Sequence, residues 1–310
     1  MFARVLSLIL LFACWSVASG EGVTPYAELL YWRPSAATSA VWASVVTEDE
    51  FEAKGVDFDW GAGYRAGLLL EPTGWLWDMN LEVTHFTTTA ASDVPEGLHL
   101  VIPEFFSGFL SGDSFEFTSA SLDWQLNYTV FDFEAGHTIP LGQAWELRPT
   151  FGLKSAVMNQ HVQSEWVDPI LGLTAAENVK HEFFGFGPSA GIEARWKPRE
   201  KLTVVGECSG ALLYGVWNVE DNFRRTTDGL PSPSYEAFST RMNDSRLGTV
   251  TLRSFLGIEW RVPCPMDVQL RAGYEVQWWA NQQRLLTFQQ LPMHGDLTFQ
   301  GGTCGLAVSY

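Results

Sequence analysis

The sequence predicts an all-β protein, a transmembrane antiparallel up-and-down β-barrel of about ten strands. Three observations predict it. Ten segments alternate apolar and polar residues with a period of two. The connections between them are short and long in turn, the asymmetry of short periplasmic turns and long extracellular loops. The last of the ten ends the chain on an aromatic residue, Tyr310.

The chain begins with an export segment. Arg4 supplies a positive start, Val5 to Val17 are largely apolar, and Ala18 and Gly20 are small residues suited to cleavage after Gly20. Residues 1–20 are therefore expected to be a cleavable signal peptide and residues 21–310 a single barrel domain. Beyond the signal no apolar run reaches the roughly 18 residues of a spanning helix. Yet the chain carries 14 Trp, 21 Phe and 8 Tyr at a mean hydropathy of −0.00. Aromatic residues spread along alternating segments are the weak signature of a membrane barrel.

The segments run approximately over 25–33, 56–70, 75–90, 115–138, 145–166, 179–197, 201–219, 247–262, 266–286 and 296–310. In the second, Phe58, Trp60, Ala62, Tyr64, Ala66 and Leu68 oppose Asp59, Gly61, Gly63, Arg65 and Gly67. In the ninth, Val268, Leu270, Ala272, Tyr274, Val276 and Trp278 oppose Gln269, Arg271, Gly273, Glu275 and Gln277. Several segments exceed 15 residues, whereas soluble strands usually have about 5–6. Short connections at 71–74, 139–144, 197–200 and 263–265 alternate with longer ones at 34–55, 91–114, 167–178, 220–246 and 287–295. An even strand count places both termini on the short-turn, periplasmic side, and closure removes edges that would otherwise aggregate.

Two stretches break the pattern. In the fourth segment Leu122, Trp124, Leu126, Tyr128 and Val130 share a parity with Asp132 and Glu134, which predicts a bulge near Val130 or an exit from the bilayer there. Residues 97–112 are too apolar for a free loop. They would fold into the lumen, sit on the rim, or add a hairpin that makes the barrel twelve-stranded. Aromatic residues near segment ends, among them Tyr26, Trp32, Trp75, Trp77, Trp145, Trp166, Trp196, Trp217, Trp260, Trp278 and Trp279, are expected to form interfacial girdles.

Thr303 to Tyr310 closes the chain with Gly305, Val308 and Tyr310 spaced like the insertion signal of outer-membrane barrels. Val308 and Tyr310 fall on one face, with Gly305, Ala307 and Ser309 on the other. The expected partners are outer-membrane lipid and the barrel-insertion machinery.

The chain also resembles the Legionella-type major outer-membrane protein family over most of its mature length. The resemblance rests on Tyr26-Ala27-Glu28-Leu29-Leu30-Tyr31-Trp32, on Phe58-Asp59-Trp60-Gly61-Ala62-Gly63-Tyr64-Arg65-Ala66-Gly67, and on Arg148-Pro149-Thr150-Phe151-Gly152-Leu153. It continues through Gly185-Phe186-Gly187-Pro188-Ser189-Ala190-Gly191, Gly273-Tyr274-Glu275-Val276-Gln277-Trp278-Trp279-Ala280-Asn281-Gln282 and Asp296-Leu297-Thr298-Phe299-Gln300-Gly301. It implies a pore-forming barrel of the bacterial outer membrane and brings no catalytic residues.

The candidate lumen-lining residues are Asp59, Arg65, Glu82, Arg148, Lys154, Arg253, Arg261, Arg271 and Glu275. They would set selectivity in an open pore or pair and close a narrow one. The primary expectation is a pore for small solutes or ions, the alternative a non-conducting surface barrel. A net charge of −17 argues against nucleic acid. Acidic residues such as Glu48, Asp49, Glu50 and Glu52 in the long connections read first as a water-exposed, soluble surface, with surface-bound divalent cations as the alternative. No cofactor is expected. After cleavage Cys208, Cys264 and Cys304 remain, read as packing residues that allow at most one disulfide. No enzyme is expected either: the six histidines, at 85, 99, 137, 161, 181 and 294, form no His-Glu-x-x-His motif, and no Gly-x-Ser-x-Gly elbow is expected.

Overall fold

The computed structural model describes residues 22–36, 41–72, 74–103, 117–170, 172–227, 234–263, 267–285 and 293–309. The expected signal peptide and Tyr310 lie outside them, as do Cys264 and residues 104–112. The elements in chain order are β1 (Val23–Ala36), β2 (Val41–Val46), β3 (Phe51–Gly55), β4 (Gly61–Leu70), β5 (Asp78–Val94), β6 (Leu100–Pro103) and β7 (Ser119–Gly136). They continue with β8 (Ile139–Pro140), β9 (Trp145–Asp168), β10 (Leu173–Arg199), β11 (Leu202–Thr227), β12 (Ser234–Val262), β13 (Asp267–Leu285) and β14 (Met293–Ser309).

Ten of these pair antiparallel with their chain neighbours in the order β1, β4, β5, β7, β9, β10, β11, β12, β13, β14. The ring closes where β14 returns to β1, from Tyr26 opposite Ala307 to Ala36 opposite Leu297. The chain is thus an all-β, ten-stranded, closed antiparallel barrel. The twelve-stranded alternative is not what forms. Leu100–Pro103 instead pairs with β2, which also pairs with β3, as a separate three-stranded sheet.

The extracellular connections differ from expectation. The segments at 167–178 and 220–246, expected to be loops, are mostly strand. β9 and β10 meet across residues 169–172, and β11 and β12 pair from Leu202 opposite Trp260 to Thr227 opposite Ser234. Antiparallel pairing satisfies the backbone of a connecting segment whether its side chains are polar or apolar, so the strands run on into it. The strands β9 to β12 reach 24 to 29 residues. A bilayer crossing needs about 9–11, so more than half of this wall stands outside the membrane.

That height explains the anomaly in β7. No bulge occurs: its pairing with β5 is continuous from Asp78 opposite Gly136 to Val94 opposite Ala120. Leu122, Trp124, Leu126, Tyr128 and Val130 all point inward and are buried, while Asp123, Gln125 and Asn127 point out into water. Lower on the same strand the polarity is reversed, with Phe131 and Phe133 exposed outward and Asp132 inward. The strand leaves the membrane near Val130.

The same reversal marks the neighbouring wall. Outward Leu153 on β9, Phe184 on β10 and Val216 on β11 give way above to Asn159, Glu182 and Asn218. The lower half is a membrane barrel with an apolar outside. The upper half is built like a soluble barrel, with a polar outside and an apolar core. The aromatics split accordingly. Trp75, Trp77, Trp145, Trp196 and Trp260 are exposed at the periplasmic ends, whereas Trp32, Trp166, Trp217 and Trp279, expected in the girdles, are buried in the interior. Their large apolar faces fill a lumen that sequence periodicity alone cannot distinguish from lipid.

This boundary is testable by labelling. In a variant with Cys208, Cys264 and Cys304 replaced by Ala, Asn127→Cys on intact cells should react with a membrane-impermeant maleimide and Phe133→Cys should not. Labelling at both positions would place the membrane edge elsewhere.

Candidate functional site

The barrel interior is the candidate site, and it is filled in two layers. The lower layer is ionic and centres on Arg65. This residue of β4 points inward because it alternates with Tyr64 and Ala66 on the lipid face, and β-pairing sets Glu28 of β1 and Thr84 of β5 on either side of it. Its guanidinium donates to Glu28 at 2.6 Å, to Glu275 at 2.8 and 2.9 Å and to Thr84 at 3.1 Å, and it pairs with Glu82 at 3.0 Å. Arg65 is 1% exposed and Glu275 0%.

A second tier spreads from there. Arg253 donates to Glu275 at 2.9 Å and lies 3.5 Å from Glu82 and 3.7 Å from Glu207. Arg271 pairs with Glu207, with Glu28 at 3.4 Å and with Glu259 at 3.7 Å. Arg195 joins Glu193 to Glu259, while Arg148 pairs with Asp78, and Lys154 with Asp132 at 2.6 Å. The carboxylates are shared between guanidiniums, so removing one cation exposes several anions at once.

Tyr26 needs a glycine to join this layer. A Cβ at Gly67 would sit 2.4 Å from the Tyr26 ring. Without it the ring lies across β4 and its hydroxyl donates to Glu82 at 2.7 Å and to the Asn80 side chain at 3.0 Å.

Above the ions lies an aromatic layer, and the two are joined. The Arg65 guanidinium stands 5.6 Å from the Trp32 ring centroid, within cation–π range. Trp32 packs on Phe86 and Phe299 at 5.7 and 6.2 Å, and Tyr128 on Phe299 and Trp279 at 4.7 and 5.5 Å. The Tyr128 hydroxyl donates to Gln277 at 2.6 Å, and the Gln277 amide donates to Glu275 at 2.6 Å. Higher still, Trp42 of β2 rests 5.3 Å from Trp166, so the small sheet caps the apolar core. Among the ions of this second tier a cavity of about 430 Å³ opens toward the periplasmic end, where it reaches the turn residues Glu71 and Thr138.

Of the residues expected in the lumen, Arg65, Glu82, Arg148, Lys154, Arg253, Arg271 and Glu275 sit in this layer. Asp59 and Arg261 do not. Asp59 is exposed in the connection before β4, where its backbone N–H bonds Thr89, because regular β4 pairing starts only at Gly61. Arg261 lies at the periplasmic rim, more than half exposed and 3.1 Å from Asp267, where the strand has run out of barrel. Asp123 of β7 points outward above the membrane.

Glu28, Glu207, Gln277 and Trp32 were not among the candidates. Glu28 shares its face with Leu30 and Trp32, an apolar pattern that reads as a lipid face until the interior is known to be aromatic.

Gly305 of the insertion segment lines the cavity, while Val308 falls on the outward parity. Cys208 and Cys304 are free thiols on the outer face.

One sequence expectation needs correction. Gly187-Pro188-Ser189-Ala190-Gly191 does spell Gly-x-Ser-x-Gly. It lies within the continuous strand β10 with Ser189 buried, so the exposed strand-to-helix turn that makes such a serine a nucleophile is missing. His85, His137 and His161 bond Thr129, the Leu76 carbonyl and Asn178, not carboxylates.

A family profile described as the Legionella pneumophila major outer membrane protein precursor matches residues 24–310. No curated protein sequence matches the chain. Among solved structures, the outer membrane protease OmpT from Escherichia coli is similar at 10% identity over 94% of this chain and 98% of that one, with a TM-score of 0.54. A major outer membrane protein from Thermus thermophilus aligns at 12% identity over 93% of this chain and 98% of that one, with a TM-score of 0.33. At such identity the OmpT likeness is one of fold alone.

Arg65→Ala should be the most destabilising single change in the ionic layer. It leaves three carboxylates without their common partner, for a loss of about 3–5 kcal/mol. Unfolding in urea with detergent micelles checks this, with the exposed Arg261→Ala expected to change stability by less than about 0.5 kcal/mol.

Proposed function

The chain belongs to the Legionella pneumophila major outer membrane protein family, barrels of the bacterial outer membrane, and we propose that it is a surface barrel whose lumen is closed at rest. The observation that carries this reading is the stacking of two sealed layers across one lumen: Arg65 with its carboxylates below, Trp32 and its aromatic neighbours above. An ion travelling the axis would have to displace both. The upper half, polar outside and apolar inside, serves as a rigid stalk that carries the extracellular connections clear of the membrane. Its role is to present surface, and it is non-enzymatic.

A second reading, a gated pore for small solutes or ions, is favoured by the ionic layer itself. That layer is closed by side chains alone, and mixed charge is what a selective passage would carry.

Planar-bilayer recording separates the two. The purified barrel in molar potassium chloride should show no sustained conductance steps at moderate voltage. Regular, discrete openings of the wild-type protein would overturn the closed reading in favour of the pore.

The strand that delivers the protein to its membrane is β14. Its spacing from Gly305 to Tyr310 supports recognition by the insertion machinery, since Val308 falls on the lipid-facing parity and an aromatic residue follows two places on in the sequence. Deleting Tyr310 should cut outer-membrane accumulation severalfold, read by fractionation and heat-modifiable migration on gels. Normal assembly of the truncated chain would count against that role.

A further inference from the structure

We infer that the outer wall of the barrel, between β4 and β10, is a binding site for one ester-linked acyl lipid of the outer leaflet. The argument begins with shape. Strand pairing sets Ala66, Val83, Phe131, Ser155 and Phe186 in one outward row across five strands. Small side chains in that row lie beside large ones, and the wall is notched where the small ones stand. The notch is a groove of about 740 Å³, its lining almost wholly apolar. That volume falls in the range of about 300–1,000 Å³ typical of small-molecule sites. Phe131 and Phe133, which line it, lie below the point near Val130 where β7 leaves the membrane. Hydrocarbon therefore covers the groove.

A second observation is polar. Two positions further up their strands, at the membrane edge, Tyr64 and Thr129 flank His85 in register. The Tyr64 and His85 rings are 5.4 Å apart, and His85 Nδ1 lies 2.9 Å from the Thr129 hydroxyl. With that hydroxyl donating to Nδ1, the ring proton sits on Nε2. Among the described residues neither Nε2 of His85 nor the hydroxyl of Tyr64 has a hydrogen-bond partner. Two outward donors thus stand at the upper end of an apolar groove, where water gives way to lipid. Donors unmatched at such a boundary are costly, and a lipid acceptor satisfies them.

The class of ligand follows from both halves. An apolar wall gains nothing from leaving water inside a membrane, so shape and hydrogen bonds do the selecting. An acyl chain can bend into the groove. A second copy of the barrel presents a convex wall and would leave the groove empty. Among the described residues no Arg or Lys lines it, and the acids behind it, Glu82 and Asp132, turn inward to Arg65 and Lys154. Neutral donors without a cation suit an uncharged acceptor, the carbonyl of an acyl ester, better than the carboxylate of a free fatty acid. The edge at which the donors stand is the extracellular one, which assigns the lipid to the outer leaflet.

The inference does not depend on whether the lumen is closed. Dipalmitoyl phosphatidylethanolamine is titrated into the full barrel in detergent micelles, and bound lipid is counted by native mass spectrometry. Saturable retention of one lipid per barrel is expected. In the wild type itself the dihexadecyl ether analogue, which has the same chain length and no ester carbonyl, should bind about fivefold more weakly, as for loss of a hydrogen bond. Free palmitate should also bind more weakly than the diester. Tyr64→Phe and His85→Phe should each lower retention of the diester severalfold. Ala66→Phe, which fills the groove, should abolish it, whereas Ala272→Phe, on the lipid-facing side of β13, should bind as the wild type does. The inference is overturned if no lipid is retained saturably, if the ether analogue or palmitate matches the diester, if Ala66→Phe binds equally well, or if the wild type forms a lipid-free dimer that Ala66→Phe dissociates.

Discussion

A guanidinium buried among three carboxylates holds the interior of this barrel together. Arg65 touches Glu28, Glu82 and Glu275, residues from β1, β5 and β13. Strand pairing alone would close the ring and leave a hollow. Arg65 fills the centre of that hollow and ties strands that do not neighbour each other. Desolvating one cation and three anions is expensive, and only a closed and mutually hydrogen-bonded set makes it tolerable. Arg253 and Arg271 complete the set by sharing the same acids. The upper half depends on this as well, because Trp32 rests on Arg65 and Gln277 carries the hydrogen-bond chain from Glu275 up to Tyr128.

The second organising constraint is the change of solvent along the axis. Around the lower wall the surroundings are hydrocarbon, so apolar side chains go out and charged ones in. Around the upper wall they are water, and the same strands turn their apolar residues inward. β7 records the switch within one strand, between Phe131 and Phe133 outward below and Leu122 to Val130 inward above. The parity never changes. Only the medium does. At both levels side chains meet across the lumen, charged ones below and aromatic ones above.

Much of this architecture was legible from residue order. The ten segments, the short periplasmic turns and the paired termini follow from a period of two and from chain length between turns. Arg65, Arg253, Arg271 and Glu275 could be picked out because each interrupts an otherwise apolar or glycine-rich alternation. Glu28 could not, since its companions Leu30 and Trp32 mimic a lipid face. Trp166 and Trp217 were misplaced in the girdle for the same reason: an amphipathic ring near a segment end has the same local pattern whether it meets headgroups or a core. Asp59 and Arg261 had the right parity but lay where the regular strand had not begun or had ended.

The sequence by itself determined that the chain is an alternating, closed barrel for the outer membrane, because a period of two and an absence of long apolar helices leave the backbone few other ways to satisfy its hydrogen bonds. Tertiary structure decided what fills that barrel. Pattern distinguishes the two faces of a strand but not what lies against each, lipid, water or the opposite wall. The ionic layer depends on Arg65 and Glu275, 210 positions apart in the chain, meeting across the lumen at 2.8 Å, and no local pattern encodes a distance between strands.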